Sequence, residues 1–449
     1  MISWNAAKVA RAAGARLVGD RSGPDGPSRA IIDSRELVAG DLFVGLAGVR
    51  DDGGLFAAQA LEAGAWGVLV TPQHARALPP GVVLVADDPL AALQSLAREW
   101  RRELGARVIA ITGSTGKTST KDILAALLSP ALATVASPRN QNNEIGVPLA
   151  ILSAPGGTQV LVLELAMRGA GQIAELAEIC EPDVGVIVNV GPAHLELLGS
   201  LEAIAAAKAE LLYALKDDGI AVIPSGEPLL EPHLREGLRV IRFGEDGDVR
   251  IVAVDEDGVV IDLAGEQIEL EPGFRSPHLL IDLSAAVAAA RAIGVPVAGT
   301  YEVAFSSLRG ERVELAGGLI IINDCYNANP MSMRAALQEL GSQPPAARRV
   351  AVLGDMLELG RRNEEQFHLD LGTQSTDAHV SLLVTVGPLA ELAGETFRHG
   401  EHLHAQDAEE AAELLDPLLR RGDVVLVKGS RGVGLEVVAR RLALKRAGE

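Results

Sequence analysis

One run constrains this chain more than any other: Thr112-Gly113-Ser114-Thr115-Gly116-Lys117-Thr118-Ser119-Thr120 follows the apolar stretch Val108-Ile109-Ala110-Ile111 and precedes the helix-like segment Asp122 to Leu128. Strand, glycine-rich turn and helix are the parts of a phosphate-binding loop. The glycines let backbone N–H groups close on anionic oxygens, and the helix N-terminus supplies a favourable dipole. Lys117 neutralises phosphate charge, and Thr118 offers a hydroxyl to Mg²⁺. The longer pattern G-x-x-x-x-G-K-[ST] is not met, because Ile111 stands five positions before Gly116. The shorter Thr-Gly-x-x-Gly-Lys-Thr form remains, and the expected ligand is a nucleoside triphosphate held by Gly113, Ser114, Thr115, Gly116, Lys117, Thr118 and Ser119.

Composition gives that lysine weight. Lysines stand only at positions 8, 117, 121, 208, 216, 428 and 445, against a Lys plus Arg total of 40. Arginine therefore serves wherever a generic cation is enough. A lysine in a motif suggests chemistry that guanidinium cannot perform, such as acting as a compact phosphate partner or a modifiable amine. Lys117 and Lys208 are singled out on this ground. The formal charge of −20 argues against a nucleic-acid partner, since a phosphate backbone needs a basic face. Anionic ligands must then be held by helix termini, a few cations and bound metal.

Cys180 and Cys325, far apart in the chain, read as reduced thiols of a cytoplasmic protein. Met1 to Asn5 shows no secretory leader, and Asp282 and Arg291 interrupt the longest apolar stretch, so no membrane span is expected.

At 449 residues the chain exceeds what one core normally serves. Residues 1–104 alternate short β-like runs with helical stretches at Leu55 to Ala63 and Pro89 to Leu104, as in a small α/β domain. Residues 105–312 repeat strand, loop and helix around Val108 to Ile111, Val160 to Leu163, Val184 to Val188 and Ile220 to Ile223, which predicts a mostly parallel sheet. Within them, 239–271 reads as an antiparallel β-rich interlude, followed by helices at Leu283 to Ile293 and Tyr301 to Leu308. Residues 313–449 form a further α/β unit, with strands at Leu319 to Ile322, Arg349 to Leu353, Leu382 to Val386 and Val424 to Val427.

Single residues speak less clearly. Glu164 ends a strand, where α/β sheets present groups to ligand, yet a carboxylate after a strand is commonly a solvated loop residue. His194 follows another strand end, and a lone histidine is more often structural than a ligand. Lys208 lies on the helix Leu201 to Leu215, where an isolated lysine is normally a surface charge.

Their order carries more. The phosphate loop, then Asn140-Gln141-Asn142-Asn143-Glu144-Ile145-Gly146-Val147-Pro148, then Glu164, His194, Lys208 and Arg312 together resemble the Mur ligases, ATP-dependent enzymes that extend the peptidoglycan precursor peptide. Asn323-Asp324-Cys325-Tyr326-Asn327-Ala328-Asn329-Pro330, with Gly354-Asp355-Met356-Leu357-Glu358-Leu359-Gly360 and Lys428-Gly429-Ser430-Arg431, resembles the branch that adds D-alanyl-D-alanine. The resemblance covers nearly the whole chain.

It implies a UDP-sugar-binding first domain, a central ATPase domain and a C-terminal Rossmann-like domain that closes over ATP. The implied partners are UDP-N-acetylmuramoyl-tripeptide and D-Ala-D-Ala, joined through an acyl phosphate by a monomeric cytoplasmic enzyme. It further implies that Lys117 holds the β- and γ-phosphates, that Thr118 and Glu164 bind one Mg²⁺ and His194 a second, and that Lys208 is carbamylated. Arg312 would reach the γ-phosphate, Asp324 the ribose, and Asn142 the nucleotide site. Tyr326, Asn327 and Asn329 would belong to the dipeptide side, and Ser34 and Arg35, in Asp33-Ser34-Arg35, to the uridine side.

Some positions depart from the family pattern. His278-Leu279-Leu280-Ile281-Asp282 stands where the family has His-Asn-x-x-Asn, so an amide is lost and Asp282 is expected to be acceptor-only, with weaker discrimination of ATP from GTP. Gly54 replaces a histidine, and Arg139 stands where a glycine usually precedes Asn140. The alternatives are a Mur ligase adding a different residue, a folylpolyglutamate synthetase-like ligase, and a nucleotide-binding protein without ligase activity.

Overall fold

The computed structural model describes residues 4–19, 25–48, 51–76, 78–138, 140–255, 258–344 and 347–446; Arg139 lies outside them. Three sheets organise the chain. In the first, Ala30–Ile31, Leu42–Val44, Gly67–Val70 and Val82–Val85 run parallel, and Arg16–Val18 adds antiparallel to Val82–Val85. In the second, Arg107–Thr112 sits between Val160–Glu164 and Val184–Ile187, all parallel, so the phosphate loop leaves the middle of a buried sheet. Thr134–Ala136 flanks one side, and Ile220–Pro224 and Arg239–Phe243 extend the other. In the third, Leu319–Asn323, Val424–Lys428, Arg349–Gly354, Leu382–Val386 and Glu401–Ala405 are parallel, with Glu311–Leu315 antiparallel at the edge. The α/β class and the mostly parallel central sheet expected from the sequence are what the chain adopts.

The helix Pro89–Leu104 shows how the first sheet is joined to the second. The Asp88 carboxylate accepts from the Leu90 and Ala91 amides, proline opens the helix, and Gly105 ends it at φ 62°. Leu93, Leu96, Ala97 and Trp100 recur at helical spacing and are all buried. Trp100 donates its indole N–H to the Ala154 carbonyl at 3.0 Å. The buried Arg101 donates to the Cys180 and Glu181 carbonyls. One continuous apolar core runs from Trp4 through this helix to Leu211.

Several expectations need correction. Tyr301 to Leu308 is not a helix: Tyr301, Val303 and Phe305 alternate, and that period of two packs an extended segment against the second sheet. The interlude 239–271 is antiparallel only in the hairpins Val249–Val254, Val259–Leu263 and Glu266–Glu271, because Arg239–Phe243 pairs parallel with strands on both sides. Glu311 and Arg312, placed at the end of the central segment, lie in the first strand of the third sheet.

Candidate active site

Gly116 has φ 77° and caps the helix Lys117–Leu128, a conformation that favours glycine. A Cβ there would run into the Asp282 carboxylate, so the loop and the helix Pro277–Ala292 fit only without a side chain. Asn189, just beyond the strand Val184–Ile187, fixes the loop from the other side. Its Oδ1 accepts from the Ser114 and Thr115 amides at 3.0 and 3.1 Å. Ser114 Oγ donates to the Gly191 carbonyl at 2.8 Å. Lys117 Nζ donates to the Gly113 carbonyl at 2.8 Å; burial lowers its pKa, with Glu164 opposing and Arg309 adding to the fall.

Beside the loop, Thr118 Oγ1 donates to Glu164 Oε2 at 2.6 Å, and Asn142 Nδ2 donates to Oε1 of the same carboxylate at 2.9 Å. Glu164 is therefore a buried carboxylate with both oxygens oriented. Lys208 is 1% exposed on the helix Leu201–Tyr213, so the surface reading fails. Burial holds its amine well below the ordinary lysine range, and the nearby Lys117 charge pushes the same way.

The third sheet supplies the opposite wall. Lys428 Nζ donates to Asp324 Oδ2 at 2.6 Å and to the Asn327 carbonyl at 3.1 Å, fixing the turn after the strand Leu319–Asn323. Asn329 caps the helix Pro330–Gly341 by accepting from the Ser332 amide at 2.9 Å, and its Nδ2 donates across to the Ser114 carbonyl at 3.2 Å. Its amide thus joins the third sheet to the phosphate loop. Arg312 donates to Gln343 Oε1 at 3.2 Å and lies 4.0 Å from Glu339. His194, at φ 60°, places Nδ1 2.6 Å from Glu358 Oε2, a second contact between the sheets.

These parts face one cleft of about 1470 Å³. Lys117, Glu164, Asn142, His194, Arg312 and Asp324 line it, together with Ser114, Thr115, Gly116, Ser119, Tyr326, Asn327 and Asn329. Gly113, Thr118 and Lys208 lie behind this lining. Ser34 and Arg35 are elsewhere, in a turn of the first sheet where Arg35 Nε meets Asp33 Oδ1 at 2.9 Å. Two participants escaped the sequence reading. Asn189 stands five positions before His194, and Glu358 in the segment Gly354 to Gly360, but neither type at that position announces a hydrogen-bond role.

Residues 111–290 match the Mur ligase middle domain, and residues 308–431 match the Mur ligase, glutamate ligase domain. The UDP-N-acetylmuramoyl-tripeptide–D-alanyl-D-alanine ligase of Bacillus subtilis is 36% identical over 91% of this chain and 92% of its own length. The chain belongs to the Mur ligase family. Among solved structures, MurF from Acinetobacter baumannii superposes with a TM-score of 0.86 at 30% identity, covering 98% of this chain and 99% of that one. The MurF ligase of Thermotoga maritima, solved in complex with ADP, gives 0.79 at 30% identity, covering 94% and 98%.

Within this Mur ligase Asp282 is buried, and burial holds its carboxyl well above the ordinary carboxylate range, against the Thr120 and Ser119 hydroxyls and the Arg309 charge. That shift favours the protonated form, which both donates and accepts as an amide does. The His74 ring occupies the space into which a side chain at Gly54 would project.

Proposed function

We propose that this chain is the ATP-dependent ligase that joins D-Ala-D-Ala to UDP-N-acetylmuramoyl-tripeptide during peptidoglycan precursor synthesis. The observation that carries the reading is the single cleft in which Lys117, Glu164 and His194 face Asp324, Tyr326 and Asn327. The segment 323–330 is also the part of the sequence that most resembles the D-Ala-D-Ala-adding branch. The B. subtilis relative bears that activity in its name, and the T. maritima structure holds ADP.

A carboxylate is a poor electrophile at neutral pH, so the amide must be made in two steps. A carboxylate oxygen of the tripeptide attacks the γ-phosphorus of ATP and ADP leaves, giving an acyl phosphate. The D-Ala-D-Ala amine then attacks the acyl carbon, inorganic phosphate departs, and the amine gives up a proton. Both steps bring anions together, which requires fixed cations and amide donors aimed at the phosphate oxygens. Lys117 and the loop amides supply these on the central side, with Arg312 assigned to the γ-phosphate and Asp324 to the ribose. The first sheet, with Ser34 and Arg35, is assigned to the uridine end of the substrate.

The donor set suits Mg²⁺. Thr118 and Glu164 present hard oxygens 2.6 Å apart beside Lys117, and Asn142 orients the carboxylate. No cluster of three or more His, Cys, Asp or Glu forms a ready cage among the described residues. That fits an ion held by one or two protein groups plus phosphate oxygens. We assign Thr118 and Glu164 to one ion and His194 to a second; such ions neutralise phosphate charge. Lys208 is assigned to carbamylation: burial lowers its pKa and so favours the free amine, which can add CO₂ and lose a proton to give an anionic carbamate, as arginine cannot.

We read the enzyme as a monomer, and no described helix is long and apolar enough to cross a membrane. A cytoplasmic enzyme is the reading we adopt. Coupled ADP release with UDP-N-acetylmuramoyl-tripeptide and D-Ala-D-Ala, each omitted in turn, tests the proposal. ADP formation that ignores D-Ala-D-Ala, or that meso-diaminopimelate or L-lysine supports equally, would overturn it.

A further inference from the structure

The cleft contains an arginine to which the family pattern assigns no role. Arg309 lines it, and its guanidinium lies over the Tyr326 ring, 4.0 Å from the centroid. The backbone is bent to put it there. Leu308 on one side has φ 63° and Gly310 on the other φ 67°, and the Tyr326 amide donates to the Leu308 carbonyl at 3.1 Å. A non-glycine residue in the left-handed region carries a conformational cost, which the fold sustains here to present one side chain.

Among the described residues the Arg309 guanidinium has no carboxylate within salt-bridge distance, although its charge acts on the buried Asp282. Among the described residues it forms no ion pair, whereas Arg312 is turned to Gln343 and Glu339, and Lys428 to Asp324. It lines the same cleft as Lys117, and its charge acts on both Lys117 and Asp282 beside the phosphate loop. Tyr326 occupies only a face of the guanidinium. The N–H donors lie in its plane and point outward, in the fork geometry that matches phosphate oxygens.

We propose that Arg309 is a polyphosphate-binding residue of this cleft, offering the edge of its guanidinium to the terminal phosphate oxygens while Tyr326 holds its face. The inference rests on the ATP reading above and deepens it. The residue that grips the phosphate stands on the ring of a residue assigned to the dipeptide side. Triphosphate binding and the ordering of the turn 324–329 are thereby linked.

The test is calorimetric titration of the full-length protein and of Arg309→Gln with the magnesium complex of a non-hydrolysable ATP analogue, with ADP and with AMP. Charge-assisted hydrogen bonds of this kind set the expected loss at about 10- to 100-fold for the ATP analogue. The loss should be smaller for ADP, and AMP affinity should be unchanged. Arg309→Lys should recover part of the loss, since it keeps charge without the fork, and Tyr326→Leu should weaken the ATP analogue less than Arg309→Gln does. Equal affinity of the wild-type and Arg309→Gln proteins for the ATP analogue overturns the inference, as does a loss that extends equally to AMP. If Arg309→Gln fails to fold by circular dichroism, Arg309→Lys is read by the same ATP-to-AMP criterion. Failure of the wild-type protein to bind the ATP analogue would instead overturn the ATP reading itself.

Discussion

His194 Nδ1 and Glu358 Oε2 lie 2.6 Å apart across a sequence separation of 164, and both residues hold a left-handed backbone, at φ 60° and 63°. Strain at both ends of one contact between sheets marks a position the fold maintains for use. Glu358 engages one ring nitrogen and so fixes how the other is presented, which is how a carboxylate orients a metal-ligating histidine. Glu358→Gln is expected to reduce turnover by about 10- to 100-fold, with the Mg²⁺ concentration for half-maximal activity raised. Burial depresses the His194 pKa and Glu358 opposes it, so the variant imidazole should titrate lower than wild type by NMR. An unchanged titration would remove Glu358 from this role.

Lys208→Met should separate activity from stability. Burial lowers the folded-state pKa of Lys208. In bicarbonate-free buffer the unfolded chain therefore holds this proton more tightly than the folded chain does, and stability falls as pH drops below the ordinary lysine range. Removing the amine should raise the melting temperature by a few degrees while abolishing turnover. Lys208→Arg should also be inactive and, unlike a lysine awaiting CO₂, should not respond to bicarbonate. Near-normal activity of either variant would exclude the assigned chemistry.

Asp282→Asn should be close to silent for nucleotide binding, within about threefold, because the raised carboxyl pKa favours the protonated acid, which resembles an amide. Its stability effect has a definite sign. The folded carboxyl has a raised pKa, so at neutral pH the unfolded chain has released a proton that the folded chain tends to keep. Stability falls as pH rises above the ordinary aspartate value. The amide introduced by the substitution does not titrate and carries no such penalty, so the variant's melting-temperature advantage at pH 7 should shrink toward pH 4. A constant difference across that range would contradict the protonated state.

Gly116→Ala should lower stability and nucleotide affinity together. The φ of 77° alone strains an alanine, and the new methyl meets Asp282. Asp282→Ala should relieve the worst of the steric conflict, but the Val188 methyl and the left-handed backbone remain, leaving the double variant less stable than Asp282→Ala alone by about 1 kcal/mol or more. Complete recovery in thermal melts would show that backbone conformation is not limiting.

The phosphate loop was legible because strand, turn and helix are adjacent in sequence and each residue type has a local reason. Glu164 and Lys208 were legible only through their order along the chain, since burial is a property of packing: the same lysine on an exposed face would be a bland surface charge. Glu358 and Asn189 were missed because their partners are distant in sequence, and no periodicity marks such contacts. Tyr301 to Leu308 was misread because apolar residues were counted without their spacing. The strand Glu401–Ala405 was hidden by its two histidines, which bond Thr385 at the sheet edge instead of filling a core. Asp282 shows a different limit, for the burial that raises its pKa comes from surroundings that no motif contains.

The helix Pro89–Leu104 fuses the first two sheets through one apolar interior, with Trp100 and Arg101 bonded into backbone carbonyls of the central unit. Those two thirds of the polypeptide share one packed interior, whereas the last third keeps apolar clusters of its own, so any relative movement is expected between the two. A long sugar-nucleotide held on the first two sheets, as assigned above, would then stay tethered while the last third admits the amine and releases the spent nucleotide. Substitutions in the connecting stretch that spare Arg309 are then expected to alter the pace of a turnover cycle without touching a reacting atom.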